Sequence, residues 1–302
     1  MKFCLHVPLA MVGMMIMALV AACGDSAVTT SKSAPPAASP DARTSAASST
    51  APRQAFSIAG SGSNLPVTQL LLDGFNATTG QALSLPPSIG SGGAVKAVQA
   101  GALTIGLVSR PLKKEELAAG LSETAYARVG VVLATHRDVP DNDISAADLV
   151  AIYRGERRTW SDGKTIFVLA RENGDSSNQA ISQAIPGFGA ALQDSLGKKR
   201  WEIFYSDQEE LDAILATNGG LGFADTTTIP YLAPRAKALS FGGVQANVAN
   251  LANGSYPLVK DLRFVYRPPL PVEARAFLDF VASPRGQGLL RKNGALPLGT
   301  MQ

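Results

Sequence analysis

Residues 88–108 read SIGSGGAVKAVQAGALTIGLV, from Ser88 to Val108. A turn rich in serine and glycine leads into a short helical stretch, AVKAVQAG, and then into an apolar strand with TIGLV at its heart. The same grammar extends outward. Residues 56–59 read as a strand that runs into Gly60-Ser61-Gly62-Ser63-Asn64, and Pro66 then opens the helix PVTQLLLDGFNATTG. Leu83-Ser84-Leu85 reads as another short strand, residues 113–119 as a helix and residues 129–135, VGVVLAT, as a long apolar strand. Beyond residue 136 the alternation continues. Ser145 caps AADLVAIYRG, residues 166–170 form a strand, and QAISQAI and residues 211–216 are helical. Strands follow at 221–224 and 263–266, with closing helices at 273–282 and 286–292. Strands and helices in alternation predict an α/β class with mainly parallel sheets.

Three polar turns share one design: Ser63-Asn64, Ser91-Gly92-Gly93 and Ser176-Ser177-Asn178. Each opens a helix. A helix N-terminus presents unpaired N–H groups and about half a positive charge. Serine adds hydroxyl donors, and glycine lets the backbone come close. Singly, such turns read as caps; converging, they would cage an oxyanion.

In order along residues 58–298, these segments resemble the substrate-binding proteins of phosphate ABC transporters. The resemblance runs through Gly60-Ser61-Gly62-Ser63-Asn64-Leu65-Pro66, the Ser88–Lys96 turn, Ile105 to Leu112, LVAIYRGERRTW ending at Trp160, Arg171 to Ser177, Asn253-Gly254-Ser255-Tyr256-Pro257 and Ser283-Pro284-Arg285-Gly286-Gln287. The resemblance implies a two-lobed type II periplasmic binding protein fold with a ligand cleft and a hinge. Lobe one would span about 55–134 and 246–302, and lobe two about 135–245. It implies a small oxyanion ligand, inorganic phosphate first, an ABC permease as partner, and a monomer that is not an enzyme. Carried over residue by residue, Ser63 or Asn64 falls on the first ligand turn, and Ser91, Gly92 and Gly93 on the second. Arg171 falls on the anion-pairing arginine, and Asp175, Ser176 and Ser177 on the third turn.

Two positions depart from the pattern. Thr104 stands where the family is expected to have an aspartate that accepts the ligand's proton, so discrimination of phosphate from sulfate should weaken. Asp175 stands in place of a serine. A carboxylate facing an anion at ~4 Å costs about 4 kcal/mol at an effective dielectric near 20, or roughly three decades of affinity. Either Asp175 takes over proton acceptance, or the pocket has changed or lost its ligand and the chain serves secretion, surface assembly or phosphate sensing.

Composition fits a globular protein. Hydrophobic residues make up 46% of the 302 and charged ones 17%, as in a globular chain. A net charge of +3 without basic runs gives no case for nucleic acid. Both cysteines, Cys4 and Cys23, fall in the leading segment, so no cofactor, thiolate metal site or disulfide framework is expected. Residues 7–22 are apolar but short for a membrane span, and they end in Leu19-Val20-Ala21-Ala22-Cys23. This resembles a lipoprotein signal peptide over residues 1–22. It implies acylation of Cys23 and a tether to the inner or outer membrane facing the periplasm. Residues 23–54, rich in Ser, Ala, Thr and Pro, read as a disordered leash. Arg110 suits a cleft-lining cation and a structural ion pair equally, while Trp160 reads as core. His136 is the one histidine outside the signal, and neither a Gly-x-Ser-x-Gly elbow nor His-Glu-x-x-His occurs. A Ser-Lys hydrolase would need a serine beside a lysine such as Lys96 or Lys164.

Overall fold

The computed structural model describes residues 56–299. The signal peptide expected over residues 1–22, Cys23 and the leash expected up to residue 54 lie outside the described residues. Among those described, no helix is long and apolar enough to cross a membrane.

The centre is a mixed nine-stranded sheet. Its main path runs Ile58–Gly60, Ile105–Val108, Val259–Tyr266, Ser122–His136, Gly220–Asp225, Phe167–Arg171, Glu202–Phe204. Pairing is parallel at the two ends and antiparallel in the middle. The expectation of mainly parallel sheets is therefore corrected. The two longest strands, Ser122–His136 and Val259–Tyr266, run beside each other in opposite directions.

Those strands link two hydrophobic cores. One gathers Phe56, Leu71, Phe75, Leu107, Tyr126, Val129, Leu262, Phe264 and Phe277. The other gathers Val131, Leu133, Leu149, Tyr153, Phe188, Phe223, Tyr256 and Leu258. The changeover falls at Gly130 on one strand and between Leu258 and Leu262 on the other. This is the two-lobed α/β architecture, with a cleft where the lobes face.

Local signals explain most elements. The Leu65–Thr79 helix begins with Pro66 in its first turn, buries Val67, Leu71, Leu72 and Phe75, and ends at Gly80 with φ 70°. Ser145 caps Ala146–Arg154 by accepting from Asp148 N–H. The strand expected at residues 83–85 is absent. The Asn76 amide donates to the Leu83 carbonyl at 2.8 Å and accepts from its N–H at 3.2 Å, so a side chain takes the place of a ladder. Trp160 is core, 3% exposed, and donates to the Gly219 carbonyl at 3.0 Å. Arg110 makes a bidentate pair with Glu116, both bonds 2.8 Å, which settles it as structural.

Candidate functional site

The first turn folds as a short 3-10 helix, Gly62–Asn64, at the end of the Ile58–Gly60 strand. It reaches both other turns. On one side Asn64 donates to Ser109 Oγ at 2.7 Å and accepts from the Tyr126 hydroxyl at 2.8 Å. Ser109 Oγ donates on to Ser61 Oγ at 3.0 Å, and its N–H donates to Ser91 Oγ at 3.2 Å. The second turn is thus docked through Ser91, while Gly92 and Gly93 open the Gly90–Gln99 helix. Asn64 is fully buried with both amide ends bonded inside the protein, so it holds the turn rather than a ligand.

Thr104 is not in this cluster. Its backbone N–H and hydroxyl meet Ser57 at the far end of the Ile105–Val108 strand, about 16 Å along an extended chain from Ser109. The proton-acceptor position inferred for Thr104 is therefore corrected: Ser109, at the other end of that strand, joins the turns.

On the other side Ser63 enters a charged cluster. The Lys260 ammonium donates to Ser63 Oγ at 2.7 Å and to Ser177 Oγ at 2.8 Å, and it lies 2.9 Å from Asp225 Oδ1. An ammonium has three protons and no acceptor. Both serine oxygens must accept from it, so each hydroxyl proton is left to point elsewhere. Ser63 sends its proton to Asp207 Oδ1 at 2.9 Å. Lys260 is the functional residue missed in the sequence. Its strand alternates, with Lys260, Leu262 and Phe264 all buried on one face, and a lysine on the core face of a strand was the available signal.

Arg171 ends the Phe167–Arg171 strand and is 4% exposed. Its guanidinium lies 3.2 Å from Asp175, 3.5 Å from Asp207 and 3.4 Å from Glu210, and its Nε has no hydrogen-bond partner among the described residues. Burial works against its charge, yet Asp175, Asp207 and Glu210 outweigh burial and hold it above the ordinary arginine value. Lys260 behaves alike: burial lowers its pKa, but Asp225, Asp175 and Asp207 raise it further. Glu210 goes the other way. Burial pushes it well above the carboxylate range, and Arg171 offsets only part of that.

Asp175 answers the question its position raised. It is the N-cap of Ser176–Ala184, accepting from the N–H groups of Ser177 and Asn178 at 2.8 and 3.2 Å while pairing with Arg171. Its carboxylate occupies the helix end itself. Ser176 and Ser177 are buried in the first turn of that helix. Beside Ser63, Asp207 and Asp225 opens a cleft of about 1070 Å³, with Leu65, Leu85 and Pro86 on one wall and Leu211, Leu215 and Tyr231 on the other.

Two lobes on a mixed sheet, joined by two strands, with the first polar turn on the cleft and a buried charged cluster behind it, define a periplasmic-type solute-binding protein. The chain belongs to the PBP superfamily: the model for a PBP superfamily domain matches residues 44–285. The phosphate-binding protein PstS of Borreliella burgdorferi is 23% identical over 215 residues, covering 65% of this chain and 73% of that protein. PstS of Pseudomonas aeruginosa is 26% identical over 245 residues, covering 69% and 72%. A crystal structure of a phosphate ABC transporter substrate-binding protein with bound phosphate, from Clostridium perfringens, is 26% identical. It covers 81% of this chain and 99% of its own, with a TM-score of 0.73.

Proposed function

We propose that this chain is an extracytoplasmic solute-binding protein that takes a small oxyanion, inorganic phosphate first, in the cleft and delivers it to an ABC permease. One observation carries the reading: Arg171 and Lys260 from two strands, Ser63 from the first turn and Ser177 from a helix start are gathered in one buried cluster, with Arg171 Nε unpartnered among the described residues. The likeness to a phosphate-bound structure covering most of this chain supports it. The first lobe boundary, near 134, lies close to the changeover at Gly130. The second belongs between Leu258 and Leu262 rather than near 246, since Ala246, Leu251, Tyr256 and Leu258 pack into the second core, and the two strands there act as the hinge. Cys23 carries the lipid, and the leash holds a monomeric binding domain near the membrane.

The cluster does not suit a Ser-Lys hydrolase. Lys260 touches two serines, but its neighbouring carboxylates hold the ammonium protonated, and an ammonium cannot take a serine proton. A second reading, an envelope protein with altered or lost ligand, is favoured by one specific feature: Asp175 and Asp207 already sit on the donors an anion would use.

A thermal-shift titration separates the two. Phosphate at a thousand times Kd should stabilise a true binder by about 4 kcal/mol, with sulfate as the control. A chain indifferent to both anions supports the second reading. Cys23→Ser should move the protein from the membrane fraction to the soluble one; unchanged fractionation would overturn the lipid tether.

A further inference from the structure

Asp207 opens the Asp207–Ala216 helix, yet its carboxylate reaches the 62–64 turn. Oδ1 accepts from Ser63 Oγ at 2.9 Å, and Oδ2 lies 3.5 Å from Arg171 Nη2. Oδ2 also lies directly over Gly62, where an added Cβ would stand 2.2 Å from it. The glycine is what lets the carboxylate in. Ser63 and Arg171 are two of the donors expected for a bound oxyanion, and a carboxylate is itself an oxyanion.

The placement is that of a stopper. Asp207 keeps 32% of its side chain exposed while Arg171 keeps 5%. The cleft is lined by Ser63 and Asp207 but not by Arg171, Lys260 or Ser177. A solute in this cleft meets Asp207 and Asp225 before the buried cations. The side chain is also free to leave. Its helix is capped by Ser206 and Glu209 in a reciprocal capping box, without help from Asp207. Asp175 differs: it is 6% exposed and caps its own helix, so it stays.

We propose that the Asp207 carboxylate is a tethered internal anion seated in the oxyanion place, which the arriving ligand displaces, and that it sets the affinity of the site. This rests on the reading above that the cleft takes an oxyanion. When the ligand arrives, Asp207 turns outward to solvent, Ser63 transfers its hydrogen bond to the ligand, and Arg171 exchanges its ion pair with Asp207 for one with the ligand. An anion too weakly charged to outcompete a carboxylate held on site at high effective concentration is refused.

The test compares the full chain with Asp207→Ala in two titrations. In the first, inorganic phosphate binding is measured by calorimetry, and the variant should bind about tenfold or more tightly than the parent. In the second, acetate replaces the missing group: it should raise the melting temperature of Asp207→Ala and leave the parent unmoved. Equal or weaker phosphate binding by the variant, with no acetate effect, overturns the internal anion while leaving phosphate binding intact. Phosphate ignored by both proteins, with acetate still stabilising the variant, removes phosphate as the ligand and retains the internal anion. If neither anion acts on either protein, both ideas fall. Should Asp207→Ala not fold, Asp207→Asn removes the charge at constant volume and gives the same comparison.

Discussion

Ser63 and Asn64 are neighbours in the chain, and they lead into two regions of opposite character. A 3-10 turn has three residues per turn, so adjacent side chains point about 120° apart. Asn64 faces a neutral network of Ser109, Ser61 and Tyr126, in which its donor and its acceptor are both answered inside the protein. Ser63 faces two buried cations and four carboxyl groups, in which donors remain to be shared or exchanged. The neutral side holds the fold of the turn; the charged side holds the chemistry. A motif that matches a ligand turn thus fixes the place of the turn, while the direction of each side chain decides its role.

Several substitutions would break or sharpen that contrast. The largest effect is expected for Lys260→Met, which leaves Asp225 buried beside no cation. Breaking one partner of a buried pair costs about 3–5 kcal/mol, read as a lower urea midpoint, and Lys260→Met with Asp225→Leu should recover much of it. A loss under about 1 kcal/mol would deny Lys260 its central place. On the neutral side, Tyr126→Phe strips the donor from Asn64 Oδ1 and should cost about 1–3 kcal/mol without altering anion binding; a parallel fall in affinity would merge the two regions.

Glu210 gives a pH signature confined to the charged side. Its folded pKa lies well above the unfolded value because burial disfavours the carboxylate. Its contribution is therefore complete below the ordinary carboxylate range and is lost as pH rises through the folded pKa. The slope reaches at most about 1.4 kcal/mol per pH unit for one proton. Glu210→Gln should flatten this decline; an unchanged pH profile would mean that the group ionises normally. The smallest change is expected at Thr104→Ala, about 0.5–1.5 kcal/mol for its bonds to Ser57, with the preference between phosphate and sulfate unaltered. A changed preference would return Thr104 to the site.

Much of this was legible in the sequence. The class, the two lobes and the three turns follow from Gly60 to Pro66, from Ser88 to Lys96 and from Arg171 to Ser177. The first turn is linked to the second through Ser109 and to the third through Lys260, neither of which belongs to a turn. What could not be read were pairings between distant segments. Lys260 lies 197 residues from Ser63 and 83 from Ser177, and only the alternation of its strand hints that it turns inward. Asp207 gave no signal, since an acidic residue in the first turn of a helix is ordinary. Thr104 was misplaced because position along a strand says which end is near the cleft only once the turn is seen. Leu83 and Leu85 suggested a strand because sequence does not show that Asn76 takes both backbone bonds of Leu83.

The central claim is that an oxyanion is held on the charged side by Arg171, Lys260, Ser63 and Ser177. Calorimetric titration of the protein and of Ser177→Ala with inorganic phosphate tests it most directly. Removing one hydroxyl donor to a charged ligand costs about 1.5–3 kcal/mol, so the parent should show saturable phosphate binding that weakens about tenfold or more in Ser177→Ala. Saturable binding of equal strength in both would place the ligand elsewhere, and no binding by the parent or by Asp207→Ala would contradict the account.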